Sequence, residues 1–236
     1  MELADGAVRH LVLKAGGRAP VREASFYRFV LAGAGLGTPE WVAGSDRNSG
    51  WLVLEAAAGA PLWQSAGVDA WCDVGRWFAR AHRRLAGFAG GVGPAVGTSY
   101  GEQLERAVAR DPRAAALAED YREAVAMMQA APRTVIHGEA FPSNVLVTPQ
   151  GEPCVVDWET AGYGCGLTDL AALTAGWAPA AAWRIAAAYG GDLAALPAAR
   201  LVVAVRWLGE RTAHERAGGG RAKHTDWWAE AAGARR

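Results

Sequence analysis

Apolar residues are arranged differently in the two parts of the chain. Up to about residue 55 they form short runs with β-branched members, and beyond residue 61 they recur at helical spacing. Residues 8–15 (VRHLVLKA) predict a strand that ends at Gly16 and Gly17. Phe26, Tyr27, Val30 and Leu31 predict a helix over Arg22–Leu31 that stops among the glycines at 33, 35 and 37. Trp41–Ala43, the polar stretch 46–50 and Trp51–Glu55 read as strand, turn and strand, and Gly59-Ala60-Pro61 reads as a break.

After that break, Val68–Phe88 places Trp71, Val74, Phe78 and Leu85 near one helical face, with Asp69 available as a cap. Glu102–Arg110 and Arg113–Ala130 predict two more helices, parted at Asp111-Pro112. Thr134–Ile136 is a short strand, and Asn144–Thr148 and Cys154–Trp158 are two more around a turn at Pro149-Gln150-Gly151. The remainder reads as helices: Thr168–Trp177, Ala180–Tyr189, Ala198 to about Arg216, and a Trp-bearing end at 225–232. The pattern predicts an α+β chain with a β-rich opening lobe, residues 1–57, and a mostly helical lobe, residues 58–236, carrying one β-hairpin.

Composition narrows the function classes. Hydrophobic residues make up 51% of the chain, enough for a sizeable core. Lys+Arg and Asp+Glu are equal at 24 each, so no field favours nucleic acid or an anionic membrane, and a small-molecule partner is expected. No apolar run approaches the roughly 18–20 residues of a membrane span. The first residues lack a basic stretch followed by an apolar run, so no signal peptide is expected. Cys72, Cys154 and Cys165 are odd in number and lack zinc spacing, which predicts reduced thiols in a cytoplasmic protein. Abundant alanine blurs the helical faces, because Ala fits either side.

The chemistry concentrates in VIHGEAFPSNVLVTPQGEPCVVDWETAGYGCGLTDLAAL, Val135–Leu173. Asn144 leads one strand of the predicted hairpin and Asp157 closes the other, so both reach the same end. Glu139 enters that space from the preceding loop. Converging oxygen ligands suit Mg²⁺ on nucleotide phosphates, and a nearby acid can orient or deprotonate an attacking hydroxyl.

The run HGEAFPSNVLV, followed by VVDWETAG and TDLA, resembles the aminoglycoside phosphotransferase family, relatives of choline kinases and protein kinases. The resemblance implies a protein-kinase-like bilobal fold, with a reduced antiparallel β small lobe and a mostly helical large lobe. It implies Mg²⁺-dependent transfer of the γ-phosphoryl group of ATP or GTP to a small-molecule hydroxyl. By resemblance, Glu139 takes the catalytic-acid position, His137 fixes the same loop, Asn144 and Asp157 hold the metal, and Asp169 braces the loop. Lys14 resembles the lysine that contacts the nucleotide phosphates, and Glu23 its partner. Val53–Ala57 resembles the hinge that meets the base, with Glu55 and Ala57 as nucleotide contacts.

Two departures stand out. Glu139 replaces the family's aspartate, adding roughly 1.5 Å of reach. Only thirteen residues precede Lys14, too few for a phosphate-covering hairpin, so its first strand and glycine-rich turn are expected to be missing. Gly33-Ala34-Gly35-Leu36-Gly37 is no substitute, since it follows a helix. Both departures favour an alternative, a kinase-like binding protein without turnover. A protein kinase is disfavoured, because His-Gly-Glu and Asp-Trp-Glu stand where His-Arg-Asp and Asp-Phe-Gly belong.

Among the other residues, Glu159 is expected to be structural and His82 to sit on a solvated face beside Arg83 and Arg84. His10, His214 and His224 have no partner pattern. Trp183, Trp207, Trp227 and Trp228 are candidates for lining an acceptor pocket. Glu210, Glu215 and Asp226 can attract a cationic substrate or lie on a solvated helix face.

Overall fold

Strands β1 (Leu11–Ala15), β2 (Trp41–Gly44) and β3 (Trp51–Glu55) form an antiparallel sheet in the order β1-β3-β2. The computed structural model describes residues 9–16, 19–45, 50–65, 67–88, 93, 95, 99–210 and 225–234. In β3, Leu52 and Leu54 turn inward and are buried, while Trp51 is exposed, as the period of two requires. The register sets Lys14 opposite Leu52. Helix α1 (Ala19–Phe26) packs on this sheet and on the turn after Asp157, and continues as one π-helical turn, Tyr27–Leu31. It starts three residues before the expected Arg22, because Pro20 suits a first helical turn.

Residues 59–61 are not a plain break. Ala60–Pro61 forms the two-residue strand β4 against β6 (Val145–Val147), which pairs with β7 (Pro153–Val155). A side chain at Gly59 would meet the Val147 carbonyl at 2.6 Å, so glycine is required where the connection crosses the hairpin. This ladder fastens the connecting segment to the large lobe.

The large lobe contains α2 (Val68–Arg84), α3 (Tyr100–Arg110), α4 (Ala118–Ala130), α5 (Leu167–Thr174), α6 (Pro179–Tyr189), α7 (Leu196–Glu210) and α8 (Trp227–Ala234). Helix α7 packs against α3, α4, α5 and α8, and is apolar nearly all round, as a central helix must be. Its buried Arg206 interrupts that apolar surface. One continuous hydrophobic cluster runs from Ala24 to Ala231 through both lobes.

Several expectations are corrected. The stretch 112–117 is a 3-10 turn rather than part of a single helix to Ala130, since Pro112 starts it and the Asp111 carboxylate accepts from the Arg113 N–H. Asp69 does not cap α2; the cap position is Gly67, and Asp69 pairs with Arg184 on α6 at 2.9 Å. Gly162–Cys165 is a strand, β8, paired with β5 (Arg133–Ile136), although its two glycines carry no strand signal. His82 does not lie on a solvated face: it is 6% exposed and faces inward, while Arg83 and Arg84 stay in water. The three cysteines are free and buried. No helix among the described residues is long and apolar enough to cross a membrane. His214, Glu215 and His224 lie outside the described residues.

Candidate active site

Two polar assemblies meet beneath the sheet, one around Lys14 and one around the loop after β5. In the first, Lys14 Nζ donates to both carboxylate oxygens of Glu23, at 3.0 and 2.7 Å, and to Asp157 Oδ1 at 2.5 Å. Glu23 is fully buried and also accepts from the Trp158 N–H at 3.1 Å, so one carboxylate holds both the sheet and the hairpin's end. Burial pulls the Lys14 ammonium's pKa down, but the hydrogen bonds to Asp157 and Glu23 outweigh it and the net shift is upward. Burial pushes the Glu23 carboxyl up, with Lys14 and the Trp158 N–H opposing that push. The three short contacts of Lys14 require anions, so we read the cluster as ionised.

Asp157 has a left-handed backbone (φ 67°, ψ 61°), and no other non-glycine residue among the described ones has a positive φ. Such a conformation carries strain and concentrates at functional positions. The hairpin register brings Asn144 to the same end of the hairpin: Val145 pairs with Val155, and the Val156 N–H donates to the Asn144 carbonyl at 2.9 Å. Both side chains thus leave the same end of the hairpin. The Asn144 amide donates from Nδ2 to the Glu139 carbonyl at 3.0 Å, which orients the amide and leaves Oδ1 with only a long contact from Ser143.

The second assembly is the loop His137–Asn144. The His137 ring is fully buried, its Nε2 lies 2.8 Å from the Val156 carbonyl, and its Nδ1 accepts from the Glu139 N–H at 3.2 Å. A ring that donates at one nitrogen and accepts at the other is neutral, and burial lowers its pKa accordingly. His137 therefore shapes the loop rather than meeting a ligand. Asp169, from the first turn of α5, accepts from the His137 N–H at 2.7 Å and the Gly138 N–H at 2.9 Å. The oxygen that accepts from the His137 N–H, Oδ2, also meets His82 Nε2 at 3.1 Å, and His82 Nδ1 meets the Tyr189 hydroxyl at 2.9 Å. Gly138 has φ 85°, and a Cβ there would come within 2.9 Å of the Thr160 carbonyl.

Glu139 is held by Arg206, whose Nη2 donates to Oε1 at 2.7 Å. Burial raises the Glu139 pKa, and Arg206 opposes this. Beside the acid, Phe141, Trp207 and Trp227 pack ring on ring at 5.0 to 6.2 Å. Of the four tryptophans singled out by sequence, Trp207 and Trp227 belong to this group. The Trp228 ring lies under the Arg113 guanidinium, and Trp183 is 63% exposed on α6. Glu210 pairs with Arg206, whereas Asp226 caps α8, accepting from the Trp228 and Ala229 N–H groups. Glu159 joins Glu23 and Asp157 in a group of acids whose oxygens lie within 4.8 Å of one another.

A cleft of about 240 Å³ lies between Glu40, Glu55–Ala58 and Thr148–Gln150. The Glu55 and Ala56 N–H groups are used by the carbonyls of Glu40 and His10, and the Glu55 carboxylate pairs with Arg9. The Ala57 N–H has no hydrogen-bond acceptor among the described residues. Arg206, Phe141 and His82 are the site residues sequence reading missed. Phe141 lies inside the quoted motif, but the other two have no local signal.

A family model described as the phosphotransferase enzyme family matches residues 9–202. No curated protein matches the chain. Among solved structures, a choline kinase from Streptococcus pneumoniae has a TM-score of 0.65 at 16% identity, covering 96% of this chain and 84% of that one. An aminoglycoside-3'-phosphotransferase of type VIII has a TM-score of 0.62 at 19% identity, covering 89% and 90%. An aminoglycoside phosphotransferase from Streptomyces rimosus, solved with ADP and streptomycin, has a TM-score of 0.63 at 20% identity, covering 86% and 88%. At these identities the likeness is one of fold, and it bears out the two-lobed, kinase-like α+β architecture.

Proposed function

The chain belongs to the phosphotransferase enzyme family, and from that premise we propose that it moves the γ-phosphoryl group of ATP or GTP to a hydroxyl of a small molecule. The observation that carries this reading is the meeting of Lys14, Glu23 and Asp157 in one ionised cluster, from positions far apart in sequence. A lysine held this way is poised to meet phosphate oxygens. The lobes divide near residues 57 and 58. The base of the nucleotide occupies the cleft at Glu55–Ala58, where the Ala57 N–H is the available donor.

The donor set suits Mg²⁺: Asp157 offers a partly exposed carboxylate and Asn144 an amide oxygen, both hard ligands, with Glu159 close by. Bound there, the ion would neutralise charge on the phosphates. The protein's own groups do the remaining work. Asp157 and Asn144 are aimed by the hairpin, Lys14 steadies the phosphates, and the Glu139 carboxylate accepts the acceptor's hydroxyl proton or orients that hydroxyl. Phe141, Trp207 and Trp227 offer the acceptor an apolar wall. In phosphoryl transfer, such placement and charge neutralisation supply most of the rate.

A second reading, nucleotide binding without turnover, is favoured by the glutamate at position 139. The test is isothermal titration with ATP and GTP, with and without Mg²⁺, followed by phosphate-transfer assays over amino alcohols, aminoglycosides and sugars. Mg²⁺-dependent binding with transfer to at least one acceptor is the expected result. Binding with neither transfer nor hydrolysis would establish the second reading instead.

A further inference from the structure

Resting on the reading of Glu139 as the acid that orients the acceptor, we propose that Arg206 is a positioning residue. It clamps Glu139 by one oxygen and so fits a longer acid into a site where the resembling family carries aspartate. Arg206 lies among the buried apolar residues of α7 and is 8% exposed. A guanidinium so far from water persists only when its donors are satisfied. Here Nη2 binds Glu139 Oε1 at 2.7 Å, Nη1 binds the Gly138 carbonyl at 2.8 Å and Nε binds Glu210 Oε1 at 3.3 Å. The guanidinium also lies over the Trp207 ring, 5.3 Å from its centroid. Contacts in three directions fix the plane of the fork, which lysine could not reproduce.

Two of those bonds land on consecutive loop residues, 138 and 139. From the opposite side Asp169 holds the N–H groups of 137 and 138. The loop is therefore gripped by its amides on one flank and by its carbonyl and acid on the other. Only Oε1 of Glu139 is engaged among the described residues, leaving Oε2 for a hydroxyl. Reach gives the arrangement its logic. An aspartate on the same backbone would end roughly 1.5 Å short, and the 2.7 Å contact would open beyond ion-pairing range. The arginine serves a glutamate specifically.

The test is a double-mutant cycle of Arg206→Gln and Glu139→Asp, read by Mg²⁺-dependent ATP hydrolysis, with water as acceptor, and by urea unfolding. In the presence of Glu139, Arg206→Gln should lower kcat about 10- to 100-fold, the cost of a misplaced acid, with KM for ATP within about twofold. In the Glu139→Asp background the same change should alter kcat less than about threefold. Equal losses in both backgrounds, or a loss confined to KM, would overturn the positioning role. The urea midpoint should fall at least about twice as far for Arg206→Gln in the wild-type background as in the Glu139→Asp background. Equal shifts would refute the clamp whether or not ATP is turned over. Wild-type protein that binds ATP yet never hydrolyses or transfers it would sink the functional reading, while the unfolding cycle would still decide the clamp.

Discussion

Asp157 combines a left-handed backbone with a carboxylate on Lys14, and both properties set what can replace it. Asparagine tolerates that conformation better than other non-glycine residues. Asp157→Asn should therefore keep the fold, with circular dichroism and melting temperature close to wild type. It should lose Mg²⁺-dependent transfer by about 10²-fold or more, because charge stabilisation by a bound metal is worth several kcal/mol. Full activity in that variant would remove Asp157 from the metal site. Asp157→Ala should lose activity similarly but unfold more easily than Asp157→Asn, by about 1 kcal/mol, because alanine tolerates the left-handed backbone less well.

The conjunction of Asn144 and Asp157 was legible in the sequence because it is local. They lie thirteen positions apart, and a short hairpin with a Pro-Gln-Gly turn can only return the chain alongside itself. Lys14 and Glu23 were legible through the order of motifs. Arg206 was not, since its partner lies 67 positions earlier and its own helix reads as core. His82 was misread for the opposite reason. Two neighbouring arginines made its surroundings look solvated, and only the long-range docking of α5 and α6 turns the ring inward.

At the scale of elements, the loop His137–Asn144 is held by helices distant from it in sequence. Helix α2 sends His82 between Asp169 of α5 and Tyr189 of α6, and the Thr134 hydroxyl donates to the His82 carbonyl at 2.8 Å. The packing is tight: a Cβ on Gly166 would come within 2.5 Å of His82 Nδ1. Replacing His82 by Leu leaves the Tyr189 hydroxyl without its partner and removes one donor from Asp169. The expected loss is about 1–3 kcal/mol, measured as a lower urea midpoint. Unchanged stability would show that the buried network contributes nothing. Strand β8 makes a related point about legibility. Gly162 and Gly164 give it no intrinsic preference, yet it forms because β5 offers a full ladder and Ile136 lies directly beside the Gly164 backbone.

For the whole molecule, the buried neutral His137 ties stability to pH. Its folded pKa lies below the ordinary value near 6.5 because burial disfavours the imidazolium. Above that value the ring is neutral in both states and has no influence. As pH falls through it, the unfolded chain takes up a proton that the folded chain refuses. Stability then drops by up to about 1.4 kcal/mol per pH unit until the folded pKa is reached. Urea unfolding at pH 7, 6 and 5 should show this slope, and His137→Asn should flatten it. An imidazole resonance that titrates at its ordinary value in the folded protein would disprove the assignment.

The bond between Lys14 and Asp157 has a bearing on the order in which ligands arrive. A carboxylate oxygen already sharing an ammonium at 2.5 Å is a poor host for another cation. On the proposed function, phosphates arriving at Lys14 would draw the ammonium toward themselves and vacate that oxygen. Nucleotide would then be the gatekeeper of the inorganic ion rather than its passenger. Calorimetry with magnesium chloride alone should register almost no heat, and the same titration after a non-hydrolysable ATP analogue should register a clear isotherm.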